Sequence, residues 1–136
     1  MGILNNLFGK ETAENANKNT SSIPDYITDT NWKELTQVSQ LQEIKEASKT
    51  RKQVLFKHST RCPISKNVLQ QFSNQQKEQF EQNTDAYYLD LIAFRPVSNE
   101  IADLFSVEHA SPQVIVLENE KVIAHNSHEG ILTIEL

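Results

Sequence analysis

The pattern of apolar and polar positions changes at about residue 30. Residues 1–30 are rich in Asn, Thr, Ser and Glu and show little hydrophobic periodicity after Phe8, which predicts a flexible polar leader. From Trp32 onward, short apolar runs alternate with amphipathic stretches, and this alternation is typical of an α/β domain. The sequence therefore predicts a leader at 1–30 and one folded domain at 31–136.

The same pattern predicts five strands and four helices within the domain. The predicted strands are 32–36, 53–57, 87–92, 113–117 and 121–125. The predicted helices begin at Ser39, at Cys62, at Ser98 and near Asn126, and the second is one long helix through Phe80. The order βαβαβαββα joins a βαβ half to a ββα half, so we expect a thioredoxin-like fold with a central mixed sheet flanked by helices.

Composition and charge exclude several classes of protein. The net charge is −5, and no run of Lys or Arg is long enough to follow a phosphate backbone. No apolar stretch approaches the roughly 20 residues that span a bilayer, and the first ten residues lack the features of a secretory signal. We therefore expect a cytoplasmic protein with no nucleic-acid partner and no membrane span. A monomer is a separate expectation, to which charge and hydropathy do not contribute.

The single cysteine, Cys62, carries the candidate chemistry. Pro63 suits the first position of the predicted helix because its φ is fixed and it has no N–H. Cys62 would then be the N-cap, where the helix dipole and the N–H groups of Ile64 and Ser65 favour a thiolate over a thiol. The guanidinium of Arg61 adds a positive charge. We expect Cys62 to be the catalytic nucleophile, with these four neighbours stabilising its thiolate; the alternative is a buried structural cysteine.

The segment Cys62-Pro-Ile-Ser65 places a hydroxyl where a dithiol oxidoreductase has its second cysteine. Since the chain has one cysteine, no internal thiol can resolve a mixed disulfide, and resolution requires an external thiol. The Ser65 hydroxyl can donate a hydrogen bond to the attacking or leaving sulfur. It cannot replace a thiolate as a nucleophile at neutral pH.

A second motif, Ser111-Pro112, comes before the fourth predicted strand. In thioredoxin-like domains a cis proline at this place lies opposite the active cysteine, so that the residue before it can pair its backbone with an extended substrate. We therefore expect a cis-proline corner, with Ser111 and Pro112 in substrate binding. The alternative is a trans proline that begins an edge strand.

These motifs together resemble one family. The run Ser59-Thr-Arg-Cys-Pro-Ile-Ser65, with His58 before it and Ser111-Pro112-Gln113 later, is similar to the monothiol bacilliredoxin family over about Trp32 to the C-terminus. The resemblance implies a cytoplasmic protein of low-GC Gram-positive bacteria that removes bacillithiol from oxidised cysteines of client proteins. Bacillithiol would be a co-substrate, no tightly bound cofactor is expected, and Thr60 of the motif is a candidate substrate-binding residue.

Bacillithiol carries malate carboxylates, so cations near the cysteine would be useful, and Arg61 and Lys57 are the nearest in sequence. Two other functions stay open. One is an iron–sulfur scaffold like the monothiol glutaredoxins, although those proteins have Gly-Phe in place of Pro63-Ile64. The other is a redox-inert binding module on the same fold.

Three histidines could suggest a metal site. The spacing of His109, His125 and His128 matches no known closed site, and the single cysteine lies far from them in sequence. We therefore expect no metal site.

Overall fold

A computed structural model describes residues 21–136, and a five-stranded sheet forms its centre. The strands are β1 (Trp32–Glu34), β2 (Lys52–His58), β3 (Thr84–Asp90), β4 (Gln113–Glu118) and β5 (Lys121–Ser127). The spatial order is β1-β3-β2-β4-β5. The first three strands run parallel, whereas β4 is antiparallel to both β2 and β5. This is the mixed sheet that the sequence predicts.

Helices cover both faces of the sheet. They are α1 (Ser39–Ala47), α2 (Pro63–Gln75), α3 (Lys77–Gln82), α4 (Arg95–Phe105) and a terminal 3₁₀-helix (His128–Thr133). Side chains of β2 alternate between two apolar clusters, as a pleated strand requires: Val54 and Phe56 pack with α2, and Leu55 packs with α1 and α4. In residues 21–136, none of the helices is both long and apolar enough to cross a membrane.

An aromatic cluster fixes α2, whose first turn carries the candidate site, against the sheet. The ring of Trp32 packs edge-on against Phe56 and Phe80, with centroid distances of 6.2 and 5.2 Å. The indole N–H of Trp32 donates to the Ser73 hydroxyl of α2 over 2.9 Å. Phe72 of α2 packs against Phe56 and Phe80 with centroid distances of 5.9 and 6.1 Å. Each aromatic pair adds about 0.5–1.5 kcal/mol beyond area burial, so these contacts hold α2 against the sheet.

The prediction of one long helix through Phe80 is wrong, because the chain breaks between α2 and α3. Gln76 lies at the break with φ −105° and ψ 10°. Its buried side-chain amide donates to the carbonyl oxygen of Ile134 over 3.0 Å. This long-range bond satisfies a polar group at a place where the apolar periodicity continues without interruption.

The prediction that Ser39 caps the first helix is also wrong. Val38 is the N-cap, Ser39 is the first helical residue, and no side chain of the cap bonds the helix. Gln40 instead organises the entry, because its side-chain oxygen accepts hydrogen bonds from the N–H groups of Thr36 and Gln37.

Two further helix starts differ from the prediction. Ser98 is buried inside α4, which begins three residues earlier with Pro96 in its first turn. The last helix, predicted to begin near Asn126, is a 3₁₀-helix that begins at His128, because β5 continues through Ser127.

Residues 21–31, which we call the N-terminal arm, pack on the domain rather than standing apart from it. Ile23, Tyr26 and Ile27 contact the apolar cluster that includes α2. The backbone N–H and the hydroxyl of Ser22 both donate to a carboxylate oxygen of Glu34, over 2.8 and 2.9 Å. The part of the predicted leader that is described therefore belongs to the fold. The prediction for residues 1–20 lies outside the described residues.

Candidate active site

Cys62 lies at the corner between β2 and α2. The strand ends at His58, residues 59–61 form a turn, and Cys62 is the N-cap of α2 with extended φ and ψ of −116° and 114°. Its N–H donates to the Ser59 carbonyl, and its carbonyl accepts from the Lys66 N–H, each over 3.2 Å. The side chain is partly exposed. The predicted position of the cysteine, before a proline at the helix N-terminus, is the observed one.

Cys62 lines a hollow of about 440 Å³. The arm contributes Pro24 and Tyr26, the turn contributes Thr60 and Arg61, and α2 contributes Pro63 and Lys66, with His58 completing the lining. The structure thus brings three predicted site residues, Thr60, Arg61 and Pro63, together with Cys62. The ammonium of Lys66 lies 4.8 Å from the centre of the Tyr26 ring, so the arm and α2 also contact each other at the hollow.

A buried histidine connects α2 to the arm. The Nδ1 atom of His58 is 2.7 Å from the Ser65 hydroxyl, and its Nε2 atom is 3.2 Å from the Tyr26 hydroxyl. Burial lowers the pKa of His58 to about 4, against a smaller opposing effect of the Asp90 carboxylate. The imidazole is therefore neutral at pH 7, with one nitrogen donating and the other accepting.

The structure contradicts the predicted contact between Ser65 and the sulfur. Ser65 is buried, and its hydroxyl is bound to His58 and accepts the N–H of Ser59 over 3.1 Å. No side-chain hydrogen bond of Cys62 caps the helix, so the predicted contacts to the N–H groups of Ile64 and Ser65 are not formed either. Position 65 faces the sheet because it lies on the buried side of α2, and Ser65 reaches the site only through His58 and the turn.

Of the two cations nearest in sequence, only Arg61 lies at the hollow. Lys57 is on the opposite face of β2, because successive side chains of a strand alternate. It is fully buried, and its ammonium donates to the Ser98 carbonyl over 3.1 Å and lies 3.3 Å from Nδ1 of His109. Burial lowers the pKa of Lys57 to about 8. The second cation at the hollow is Lys66, which was not among the predicted site residues.

Ser111 and Pro112 come directly before β4, the strand next to β2, and do not lie in the hollow. Their peptide bond is cis, as expected. Gln113 pairs with Lys57 near the end of β2, so this corner and the Cys62 turn lie at the same edge of the sheet. Neither residue lines the hollow, and the Pro112 carbonyl accepts the N–H of His128 over 3.0 Å.

Four residues that line the hollow are not among the predicted site residues: Pro24, Tyr26, His58 and Lys66. His58 was noted only as part of the motif. Lys66 could have been predicted, because it follows Cys62 by four residues and so lies one helical turn away on the same side of α2. Tyr26 had one weak signal, since it is the only aromatic residue between Phe8 and Trp32. Within residues 21–136, no three His, Cys, Asp or Glu side chains are grouped to hold a metal ion.

Comparison with known proteins decides the family. The model of the family monothiol bacilliredoxin BrxC matches residues 33–136, which is most of the chain. The chain belongs to the monothiol bacilliredoxin family. Membership implies a thiol redox function of the bacilliredoxin type. The arm lies before the matched residues, so Tyr26 is a part of the hollow that the family match does not cover.

Solved structures agree with this fold. A protein described as a candidate oxidoreductase with a thioredoxin fold is 28% identical, with a TM-score of 0.63 over 75% of this chain and 90% of that one. The thioredoxins of Fasciola hepatica and Schistosoma mansoni are each 19% identical, with TM-scores of 0.59 and 0.58. They cover 74% and 75% of this chain and 92% and 87% of their own. The chain therefore has the thioredoxin-like α/β fold.

Proposed function

We propose that this protein removes bacillithiol from S-bacillithiolated proteins, with Cys62 as its only nucleophile. The observation that carries the proposal is the position of the single cysteine, partly exposed at the N-cap of α2 and lining a hollow with two cations. A helix N-terminus with adjacent basic side chains favours the thiolate, which is the reactive form in exchange.

The reaction needs two exchanges. In the first, the Cys62 thiolate attacks the bacillithiol sulfur of the client mixed disulfide, forming a Cys62–bacillithiol disulfide. The client sulfur leaves as a thiolate and takes a proton from solvent. In the second, the thiolate of a free bacillithiol attacks the bacillithiol sulfur bound to Cys62, so that bacillithiol disulfide forms and the Cys62 thiolate is regenerated.

The hollow supports a small anionic thiol as the group transferred. Its volume of about 440 Å³ lies within the range of about 300–1,000 Å³ that is usual for small-molecule sites. Arg61 and Lys66 line it, and neither forms an ion pair with a residue in the part of the chain that the structure describes. Both cations are thus available to the malate carboxylates of bacillithiol.

Ser65 supports a mechanism with one thiol. It occupies the position of the second cysteine of a dithiol protein, but it is buried and bound to His58 and to the backbone of Ser59. A hydroxyl in this place cannot release the adduct from Cys62, so an external thiol must do so. The cis-proline corner at Ser111 and Pro112 lies at the same sheet edge and is proposed to contact the client backbone.

Incubation with a bacillithiolated client protein tests this function. We expect the client to lose the mass of bacillithiol and this protein to gain it, as read by intact mass spectrometry. Cys62→Ser should leave the client modified. Transfer that persists in Cys62→Ser, or no transfer by the unmodified protein, would exclude the proposal.

A further inference from the structure

The arm brings a tyrosine hydroxyl to the hollow. Tyr26 lines the hollow together with Cys62. The only hydrogen-bond partner of its hydroxyl within residues 21–136 is the Nε2 atom of His58. Whether the Tyr26 proton points at His58 or into the hollow therefore depends on which ring nitrogen carries the histidine proton.

Ser65 settles which nitrogen that is. Its buried oxygen has two partners, the N–H of Ser59 and the Nδ1 atom of His58. Because the N–H of Ser59 can only donate, the Ser65 proton has one available acceptor, the Nδ1 atom 2.7 Å away. The proton of neutral His58 then resides on Nε2 and is donated to the Tyr26 oxygen.

We propose that Tyr26 is a specificity-determining residue, whose hydroxyl donates a hydrogen bond to a carboxylate of the small thiol bound at Cys62. The chain of bonds runs from Ser65 through His58 to Tyr26, and it leaves the phenol proton directed away from His58. Arg61 and Lys66 line the same hollow, so an anionic acceptor is the group that this set of donors fits. The identity of the transferred thiol rests on the proposed function.

Two observations keep Tyr26 in this role. Burial raises the pKa of its phenol, so it stays protonated and able to donate at neutral pH. The Lys66 ammonium on its ring and the packing of Ile23 and Ile27 on the core fix the arm beside the site. Ser65 of the C-x-x-S motif thereby has a function that requires no contact with the sulfur. It determines which ring nitrogen of His58 carries the proton, and this in turn orients the hydroxyl of Tyr26.

Tyr26→Phe in the full chain tests the proposal, because it removes the hydroxyl and keeps the ring. With a client carrying bacillithiol or glutathione, both anionic, we expect the transfer rate constant to fall about fivefold, which corresponds to one lost hydrogen bond. With a client carrying uncharged 2-mercaptoethanol, and in alkylation of Cys62 by iodoacetamide, the rate should change less than twofold. Tyr87→Phe, at a half-buried tyrosine that packs with the other apolar cluster, should behave as the unmodified protein.

An equal loss on the anionic and uncharged clients, or no loss on either, would overturn the role of Tyr26. Inactivity of the unmodified protein toward bacillithiolated clients alone would instead exclude the proposed function, and the glutathione and mercaptoethanol clients would still decide on Tyr26. Nitrogen NMR of His58 provides a readout that does not depend on activity. We expect the proton of His58 to be on Nε2 in the unmodified protein, and we expect this preference for Nε2 to be lost in Ser65→Ala. A proton on Nδ1 in the unmodified protein would contradict the proposal.

Discussion

The Nδ1 atom of His58 lies 2.7 Å from the hydroxyl of Ser65, and both side chains are withdrawn from solvent. The last residue of β2 is thereby bound to the first turn of α2, across the turn that precedes Cys62. The C-x-x-S motif is thus a structural link as well as the place where a second thiol is missing.

Loss of this link should destabilise the fold. Ser65→Ala leaves the buried Nδ1 of His58 and the N–H of Ser59 without their partner, so we expect the free energy of unfolding to fall by about 1–3 kcal/mol. Urea denaturation measures it. Ser39→Ala, at an exposed serine, should change the value by less than about 0.5 kcal/mol. Equal effects of the two substitutions would contradict the assigned role of Ser65.

Acid should destabilise the protein through His58. Its pKa is about 4 in the fold against 6.5 for an ordinary histidine, so between these values the unfolded chain binds the proton and the native protein does not. The contribution of His58 to the free energy of unfolding is therefore fully present above pH 6.5, and it falls by roughly 2.5 kcal/mol on going to pH 4.5. Urea denaturation of the unmodified protein, of His58→Asn and of the exposed control His125→Asn at both pH values checks this. His125→Asn should lose as much unfolding free energy at pH 4.5 as the unmodified protein. The same loss in His58→Asn would refute the prediction.

Alkali should act in the opposite direction through Lys57. Its pKa is about 8 in the fold against 10.5 for an ordinary lysine, so between these values the unfolded chain again binds more protons. Stability relative to Lys57→Met should therefore rise by roughly 2 kcal/mol from pH 7 to pH 9.5. Paired denaturation curves of the two proteins measure it. A constant difference across this range would show that the buried amine does not titrate there.

The cations of the hollow should affect anionic substrates selectively. Arg61→Gln and Lys66→Gln should each lower the rate of transfer from a bacillithiolated client by about two- to fivefold, with the effect shrinking at high salt. A client carrying 2-mercaptoethanol should be almost unaffected, and so should transfer by Lys121→Gln, which removes an exposed lysine of β5. Equal losses with both clients would rule out recognition of carboxylates by these side chains.

Local chemistry explains what the sequence predicts well. A strand, a turn, Cys62 and Pro63 follow one another within a few residues, so the corner could be predicted from φ restrictions and helix capping alone. The alternation of apolar runs likewise predicts the sheet and its mixed topology. The choice of strand face was missed for Lys57, although it is adjacent to His58 on β2 and must point to the other side.

Contacts between distant segments explain the errors. The Ser65 hydroxyl has its partner on another element, and the break at Gln76 depends on a carbonyl 58 residues later. The arm packs through three apolar residues, Ile23, Tyr26 and Ile27, which are too few to stand out from the polar residues around them, so its sequence resembles a polar leader. In each case the deciding partner lies on another element of the fold, and the periodicity and capping of a single element do not reveal such a contact.

The most direct test of the central claim is a single turnover without added thiol, followed by intact mass spectrometry. Cys62 is the only cysteine, so the account predicts that the protein stalls with one bacillithiol bound, in an amount equal to the client released. Addition of free bacillithiol should remove that mass and restart turnover. Repeated turnover without any added thiol or reductant, with no adduct on Cys62, would contradict the monothiol mechanism.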